Sequence, residues 1–291
     1  MTTNRNTTAA NPGLTLVLGA TGKTGRRVAA RLEELDAPVR RASRSSDQPF
    51  DWTDPGTWAP ALAGAAAVYL AYSPDLAAPG APEAIGAFTA AMREAGVRHV
   101  VLLSGRGEPE AEQCERLVRD SGLGWTIVRA SWFAQNFSED YLLDPVRGGR
   151  VVLPAGDVPE PFVDADDIAD VAVAALTRPD RHQGRAYELT GPRALTFAQA
   201  VGQIAAATGR PVGYLQVPPA DYSAALQDEG VPAEVAEMLT YLFTTVLDGR
   251  NSAVADGVQR ALGRPARDFA DYAHRTAATG VWNTHEEEAA R

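Results

Sequence analysis

Apolar residues in the first half of this chain fall into short unbroken runs that alternate with stretches of helical period. Leu14-Thr15-Leu16-Val17-Leu18 predicts a buried strand, and residues 26–35, with Val28, Leu32 and Leu35 on one face, predict a helix. A short second strand is expected over 39–43, after Ala37-Pro38. A brief third is expected at Phe50-Asp51-Trp52, closed by Thr53-Asp54-Pro55-Gly56. The run from 67 to 72 is continuously apolar and bounded by Ser73-Pro74, so it reads as a buried fourth strand. A helix over 82–95 carries Ile85, Phe88 and Met92, and a fifth strand follows at 99–104. A helix over 110–120 and a sixth strand at 125–129 complete the alternation. Such alternation predicts parallel βαβ units with right-handed crossovers, hence a doubly wound α/β fold.

After Ser131 the rhythm changes. Residues 132–137 open an aromatic-rich helix, Gly148-Gly149 marks a turn, and Asp164, Asp166 and Asp167 introduce a helix over 168–176. Residues 187–191 give one more strand. Thr196 with Gln199 fits a capping box for a helix ending near Thr208, and 233–247 is the longest helical pattern of the remainder. The expected organisation is a disordered lead-in over 1–13 and a nucleotide-binding core over 14–131. A second lobe over 132–283, interleaved with the last elements of the core, and a tail over 284–291 complete it. No internal repeat is present.

Between the first strand and its helix stands Gly19-Ala20-Thr21-Gly22-Lys23-Thr24-Gly25. Strand, glycine turn and helix N-terminus in that order make a pyrophosphate cradle. Gly19 allows the sharp turn, Gly22 the approach of backbone to phosphate, and Gly25 close packing of the helix on the strand. The spacing is G-x-x-G-x-x-G; the alternative is a purely structural turn.

Composition narrows the partners. The formal net charge is −10 with dispersed basic residues, which disfavours a nucleic-acid or anionic-membrane surface and favours a small molecule. The single cysteine, Cys114, excludes an internal disulfide and reads as a half-buried helix residue. The first 13 residues lack the apolar core of a signal peptide, and the run over 61–72 is too short to span a bilayer. A cytoplasmic setting is expected; oligomeric state is not legible. The four histidines, His99, His182, His274 and His285, show no ligand spacing, so no metal is expected. Asp164, Asp166 and Asp167 read as a helix cap with favourable charge rather than as ligands. No G-x-S-x-G elbow points to a hydrolase.

The end of the second strand selects the nucleotide. In dinucleotide folds an acidic residue there accepts from the 2′-hydroxyl of NAD, whereas an arginine takes the 2′-phosphate of NADP. Here no carboxylate precedes Asp47, and Arg44, with Ser45 and Arg40 in support, points to NADP(H). Lys23 is either a phosphate contact or a solvated lysine over the helix start. Asp51 either accepts from the adenine amino group or caps a turn, Trp52 can cover the adenine face, and Trp58 reads as core. Ala71 and Ser73 line the cofactor edge.

The glycine turn, Arg44, the Asp51 position, Leu103-Ser104-Gly105, and the runs over 121–129, 132–137 and 162–169 together resemble the NmrA-like branch of the atypical short-chain dehydrogenases/reductases, over roughly 14–274. The resemblance implies an extended Rossmann domain with a smaller, mostly helical C-terminal substrate lobe. It implies quinone, azo-dye, triphenylmethane-dye or iminium reductases, or regulators that bind nucleotide without turnover. Classical members of the superfamily use a Tyr-x-x-x-Lys pair. Lys23 is the only lysine here, every other one of the 27 basic residues being arginine, so that pair cannot form.

The expected chemistry is therefore hydride transfer from NADPH to an activated C=C, C=N, azo or quinone-type molecule, with an NmrA-type redox sensor as the alternative. An isomerase or epimerase is weakened by the same missing pair. Tyr72 and Ser104, at the ends of the fourth and fifth strands, are the candidate proton donors, or polar residues that only shape the pocket. Trp132, Phe133, Asn136 and Phe137 share a broad helical face. With Tyr241 and Phe243 they are candidates for an apolar substrate pocket, or plain core.

Overall fold

The computed structural model describes residues 13–284, so the expected lead-in and tail lie, save for Gly13 and Thr284, outside the described residues. The eight strands are β1 (Thr15–Leu18), β2 (Val39–Ala42), β3 (Ala67–Leu70), β4 (His99–Gly105), β5 (Gly124–Ala130), β6 (Arg150–Leu153), β7 (Arg185–Leu189) and β8 (Gly213–Gln216). Six of them form one sheet in the order β2-β1-β3-β4-β5-β7, every pairing parallel. Thr15 aligns with Val39 on one side and Ala67 on the other, so the carboxyl ends of β1, β2 and β3 lie together. Chain order reverses at β1. That reversal is the topological switch point at which open α/β sheets bind ligands.

The two-residue period of each strand sorts its side chains between two cores. Leu16, Leu18, Val68, Leu70, Val100 and Leu102 face the helices Ala81–Glu94 and Pro109–Asp120, meeting Ile85, Phe88, Met92 and Val118. Val17, Tyr69, Val101 and Val128 face the opposite layer, the helices Gly25–Glu34 and Ala165–Thr177. Cys114 is fully buried in the first core, deeper than its expected half-exposed place. A third core, built on Phe137, Phe162, Phe197, Phe243, Phe269 and Trp282, belongs to the second half of the chain. The Thr196–Gln199 capping box forms as expected and starts the helix Phe197–Thr208.

Four elements differ from the pattern reading. Phe50-Asp51-Trp52 joins no sheet. The Asp51 carboxylate accepts from the Thr53 amide and hydroxyl, both at 2.8 Å, and curls the chain into a turn bridged only by Asp51 and Asp54. The aromatic segment is not helical from Trp132. Phe133 pairs in parallel with Val163, and the helix covers only Asn136–Glu139, so Trp132 and Phe133 share no helical face with Asn136 and Phe137. The pattern over 233–247 is an α-helix to Tyr241 and a π-turn over Leu242–Val246. Strands β6 and β8 pair with each other in a separate two-stranded parallel sheet that local pattern does not reveal, because their partners are distant in sequence.

Candidate cofactor and active site

Gly19 leaves β1 with φ +61°, in the left-handed region open to glycine, and its carbonyl accepts from the Gly22 amide at 2.8 Å. A Cβ at Gly25 would stand 2.2 Å from the Gly19 carbonyl oxygen, so the first turn of the helix rests directly on the end of the strand. Thr24 is buried at the helix cap, Ala20 donates its amide to Ala42 on β2, and Thr21 and Gly22 are exposed. A helix start leaves its first amides without helical acceptors and carries the positive end of the helix dipole. The turn thus fits a dinucleotide pyrophosphate in both shape and charge.

Lys23 is not a bare cation above this turn. It pairs with Asp140 and lies 5.9 Å from the Phe133 ring centroid. Next to it, Arg27 and Arg31 pair with Glu139, Asp166 and Asp170, so the cofactor helix is tied to the second half by a seam of charge. Asp166 is half-buried, yet the Arg31 and Arg27 guanidiniums outweigh its desolvation and hold its carboxyl below the usual range. Asp164 caps the helix Ala165–Thr177 by accepting from the Asp166 amide and also takes Gln135 Nε2 and Arg275.

At the end of β2 the three arginines part company. Arg40 donates to the carbonyls of Ala61 and Ala63, both at 2.7 Å, and Arg41 pairs with Glu33. Arg44 is exposed, and among the described residues its one recorded interaction is an electrostatic pull on Asp51. The Asp51 carboxyl is held low chiefly by the Thr53 amide and hydroxyl, with Arg44 adding to them. Trp52 stands beside it, edge-on to Phe50 at 4.9 Å and tilted against Tyr72 at 4.8 Å. Ala71 is half-buried beyond β3, and a Cβ at Gly19 would lie 3.7 Å from its Cβ; Ser73 is exposed.

One of the two expected proton donors is otherwise engaged. Ser104 is 3% exposed and donates to Glu115 at 2.8 Å. Glu115 also receives a two-pronged bond from Arg129 at 2.6 and 2.8 Å, which anchors the helix Pro109–Asp120 to β4 and β5. Strand parity directs Ser104 into that helix layer, which is the physical reason it is sealed. Tyr72 is half-buried against Trp52 on the same layer, and burial pushes its phenol upward.

Among the aromatic candidates, Phe137 is core at 0% exposure, enclosed by Phe162, Phe197 and Phe269, with Trp282 Nε1 donating to its carbonyl. Trp132 and Phe133 remain half-buried, and Trp132 lies 4.7 Å from Phe243 and 5.4 Å edge-on to Phe197. Asn136 and Tyr141 are both half-buried. Tyr241 reaches across from the second half to Glu110, its hydroxyl 3.5 Å from Oε2.

Three carboxyls missed by sequence reasoning also belong to this edge. Asp75 lies in the loop after β3 and Glu108 in the loop after β4, and both are raised, burial being the largest cause. Glu160 is 2% exposed, accepts from the Trp132 amide at 3.2 Å and is pushed up to about 7 by burial, against the pull of that amide and of Arg106. Position after a strand's carboxyl end was the available signal for Asp75 and Glu108; Glu160 had none. A groove lined by Arg31, Leu35, Thr177, Arg181 and Tyr187 lies at the helices' C-terminal ends, away from the glycine turn.

A parallel sheet with a glycine turn at its switch point, a close-packed helix start and an unengaged arginine after β2 defines a dinucleotide-binding α/β protein. Residues 19–109 match the NAD(P)H-binding family model and residues 109–272 the NmrA-like family model. The chain belongs to the NmrA-like family. It is 32% identical to an NAD(P)H azoreductase of Xenophilus azovorans, with 90% of this chain and 98% of that protein covered. It is 36% identical to the (4-alkanoyl-5-oxo-2,5-dihydrofuran-3-yl)methyl phosphate reductase of Streptomyces griseus, over 88% of this chain and 95% of that one. An NADPH-dependent quinone oxidoreductase of Escherichia coli, solved with NADPH, shares the fold at a TM-score of 0.75 and 22% identity. The match covers 90% of this chain and 99% of that one.

Proposed function

We propose that this chain is an NADPH-dependent reductase acting on a small organic molecule with an activated C=C, C=N, azo or quinone group. The observation that carries the reading is the division of labour among Arg40, Arg41 and Arg44 beside the glycine turn. Two are consumed by the protein and the third, exposed after β2, is left for a ligand. In this reading the amides from Gly22 to Gly25 hold the pyrophosphate, Arg44 clamps the 2′-phosphate, and Asp51 and Trp52 flank the adenine. Ala71 and Ser73 line the remaining cofactor edge. When bound, the cofactor supplies a hydride to an electrophilic atom.

The chain's own contribution is position and exclusion of water. The part of residues 132–283 built on the third core acts as a lobe over the nucleotide half, where Trp132, Phe133 and Tyr241 give a flat acceptor an apolar bed with few polar contacts. Holding reacting atoms about 3–3.5 Å apart is worth on the order of 7 kcal/mol or more of barrier. With Lys23 as the sole lysine, the Tyr-x-x-x-Lys route is unavailable, which supports acceptors that take hydride without it.

The test is a fluorescence titration with NADPH and NADH, followed by neutral azo, quinone, enone and cationic dye acceptors in the same cuvette. Tighter binding of NADPH and acceptor-dependent oxidation are expected. Binding without turnover of any acceptor would overturn the reductase in favour of a nucleotide-responsive regulator.

A further inference from the structure

Reduction of a neutral acceptor consumes a proton as well as a hydride. Ser104 is sealed and bound to Glu115, and the Tyr72 ring is packed against Trp52. Lys23 is held by Asp140. The carboxyl edge of the sheet offers another donor between the glycine turn and the second lobe.

Asp75 and Glu108 come from the loops that follow neighbouring strands β3 and β4, and each carboxyl acts electrostatically on its neighbours there, Asp75 raising Glu108. Two ionised carboxylates placed near each other repel, so a proton held by one of them relieves the pair. Asp75 is fixed by the Ala77 amide, which donates to Oδ1 at 2.8 Å. Gly105, the last residue of β4, supplies the room. A Cβ there would lie 2.1 Å from Glu108 Oε1 and 2.2 Å from Oε2, so the carboxyl is folded onto the end of the strand where a side chain would otherwise stand. Charge also links the pair to both halves of the site: Lys23 of the glycine turn acts electrostatically on Asp75, and Glu108 acts on Tyr241 of the second lobe, whose hydroxyl bonds Glu110.

The geometry points to Glu108 as the proton donor of the reduction, with Asp75 as the residue that positions and shares its proton. This role rests on the reductase reading above. The step is one proton transfer. The Glu108 O–H bond breaks as an O–H or N–H bond, or the C–H bond of an enolate, forms on the acceptor. The electron pair comes with the hydride, and water returns a proton to the carboxylate pair. Burial keeps Glu108 protonated, and the charges of Asp75 and Glu110 reinforce it; Lys23 and the Ala77 amide oppose the same trend at Asp75.

The test compares a neutral azo dye, which needs the proton, with a cationic triphenylmethane dye, which needs hydride alone, and records the infrared carboxylic-acid band at pH 7. Glu108→Gln is expected to weaken that band, leaving the part that belongs to Glu160, and to lower kcat on the azo dye about 10²-fold or more, with a far smaller loss on the cationic dye. Asp75→Asn removes a repelling charge from Glu108, so the alkaline limb of the azo-dye pH profile moves to lower pH. Gly105→Ala, which displaces the Glu108 carboxyl, lowers the azo-to-cation rate ratio in the same direction. A band unchanged by Glu108→Gln, or equal losses on the two dyes, overturns the donor while leaving the reductase standing. Wild-type turnover of neither dye, nor of any other acceptor, overturns both.

Discussion

Arg44 and Glu160 show how one side chain acquires a function from what its neighbours leave undone. Arg40 and Arg41 are satisfied by carbonyls and by Glu33, so replacing them disturbs packing, whereas Arg44 is available to a ligand. A charge-assisted bond is worth roughly 1.5–3 kcal/mol. Arg44→Ala should therefore raise the Kd for NADPH by about 10- to 100-fold with little change for NADH, measured by titration; equal loss for both nucleotides would remove Arg44 from the 2′-phosphate. Glu160 makes a pH prediction. Its folded pKa of about 7 lies above the ordinary value of 4.5, so the folded protein holds a proton that the unfolded chain releases between these values. Stability from this group is full below about pH 4.5 and falls as pH rises through 7, by an amount on the order of 2–3 kcal/mol. Glu160→Gln keeps an oxygen for the Trp132 amide and cannot ionise. It should raise the Tm at pH 8 and leave it nearly unchanged at pH 5; the same shift at both would contradict a buried titrating carboxyl.

At the scale of elements, the strand–turn–helix unit over residues 15–34 was legible because each of its causes is local. An apolar run makes the strand, Gly19 takes a left-handed φ, and Gly25 removes the atom that would collide with the Gly19 carbonyl. Gly25→Ala forces that collision. Overpacking of this kind costs about 1–3 kcal/mol, so both the Tm and NADPH affinity should fall. Gly22→Ala has its nearest neighbour at 3.2 Å and should cost less stability; the reverse order would remove Gly25 as the contact that seats the helix. Local reasoning failed where a side chain redirected the backbone. Asp51 turned an apparent strand into a bend, and the Phe133–Val163 bridge delayed the helix after Trp132. It also failed for β6 and β8, four residues each, whose only sheet partners are one another.

In the whole molecule the two halves meet through a shared core as well as through charge, Ile168, Val171 and Leu189 packing with Val17, Val28 and Val128. Arg27 and Arg31 on the cofactor helix pair with Glu139, Asp166 and Asp170, and the three hydrophobic cores stay distinct. A ligand that binds only the folded protein stabilises it by about 2.7 kcal/mol at 100 times its Kd. NADPH should thus raise the Tm by roughly 4–5 °C at that concentration, and NADH at the same concentration by less. Equal shifts would contradict the preference assigned to Arg44. By itself the sequence determined the parallel α/β plan, the glycine turn, the cofactor class and the exclusion of a tyrosine–lysine pair. These follow from periodicity, local backbone freedom and the presence of a single lysine. Only the tertiary structure decided which polar groups remain available. It spent Ser104 on Glu115, buried Phe137, set Glu160 under Trp132 and brought Asp75 to Glu108. Those outcomes depend on strand parity and on contacts between distant segments, and no local pattern encodes either.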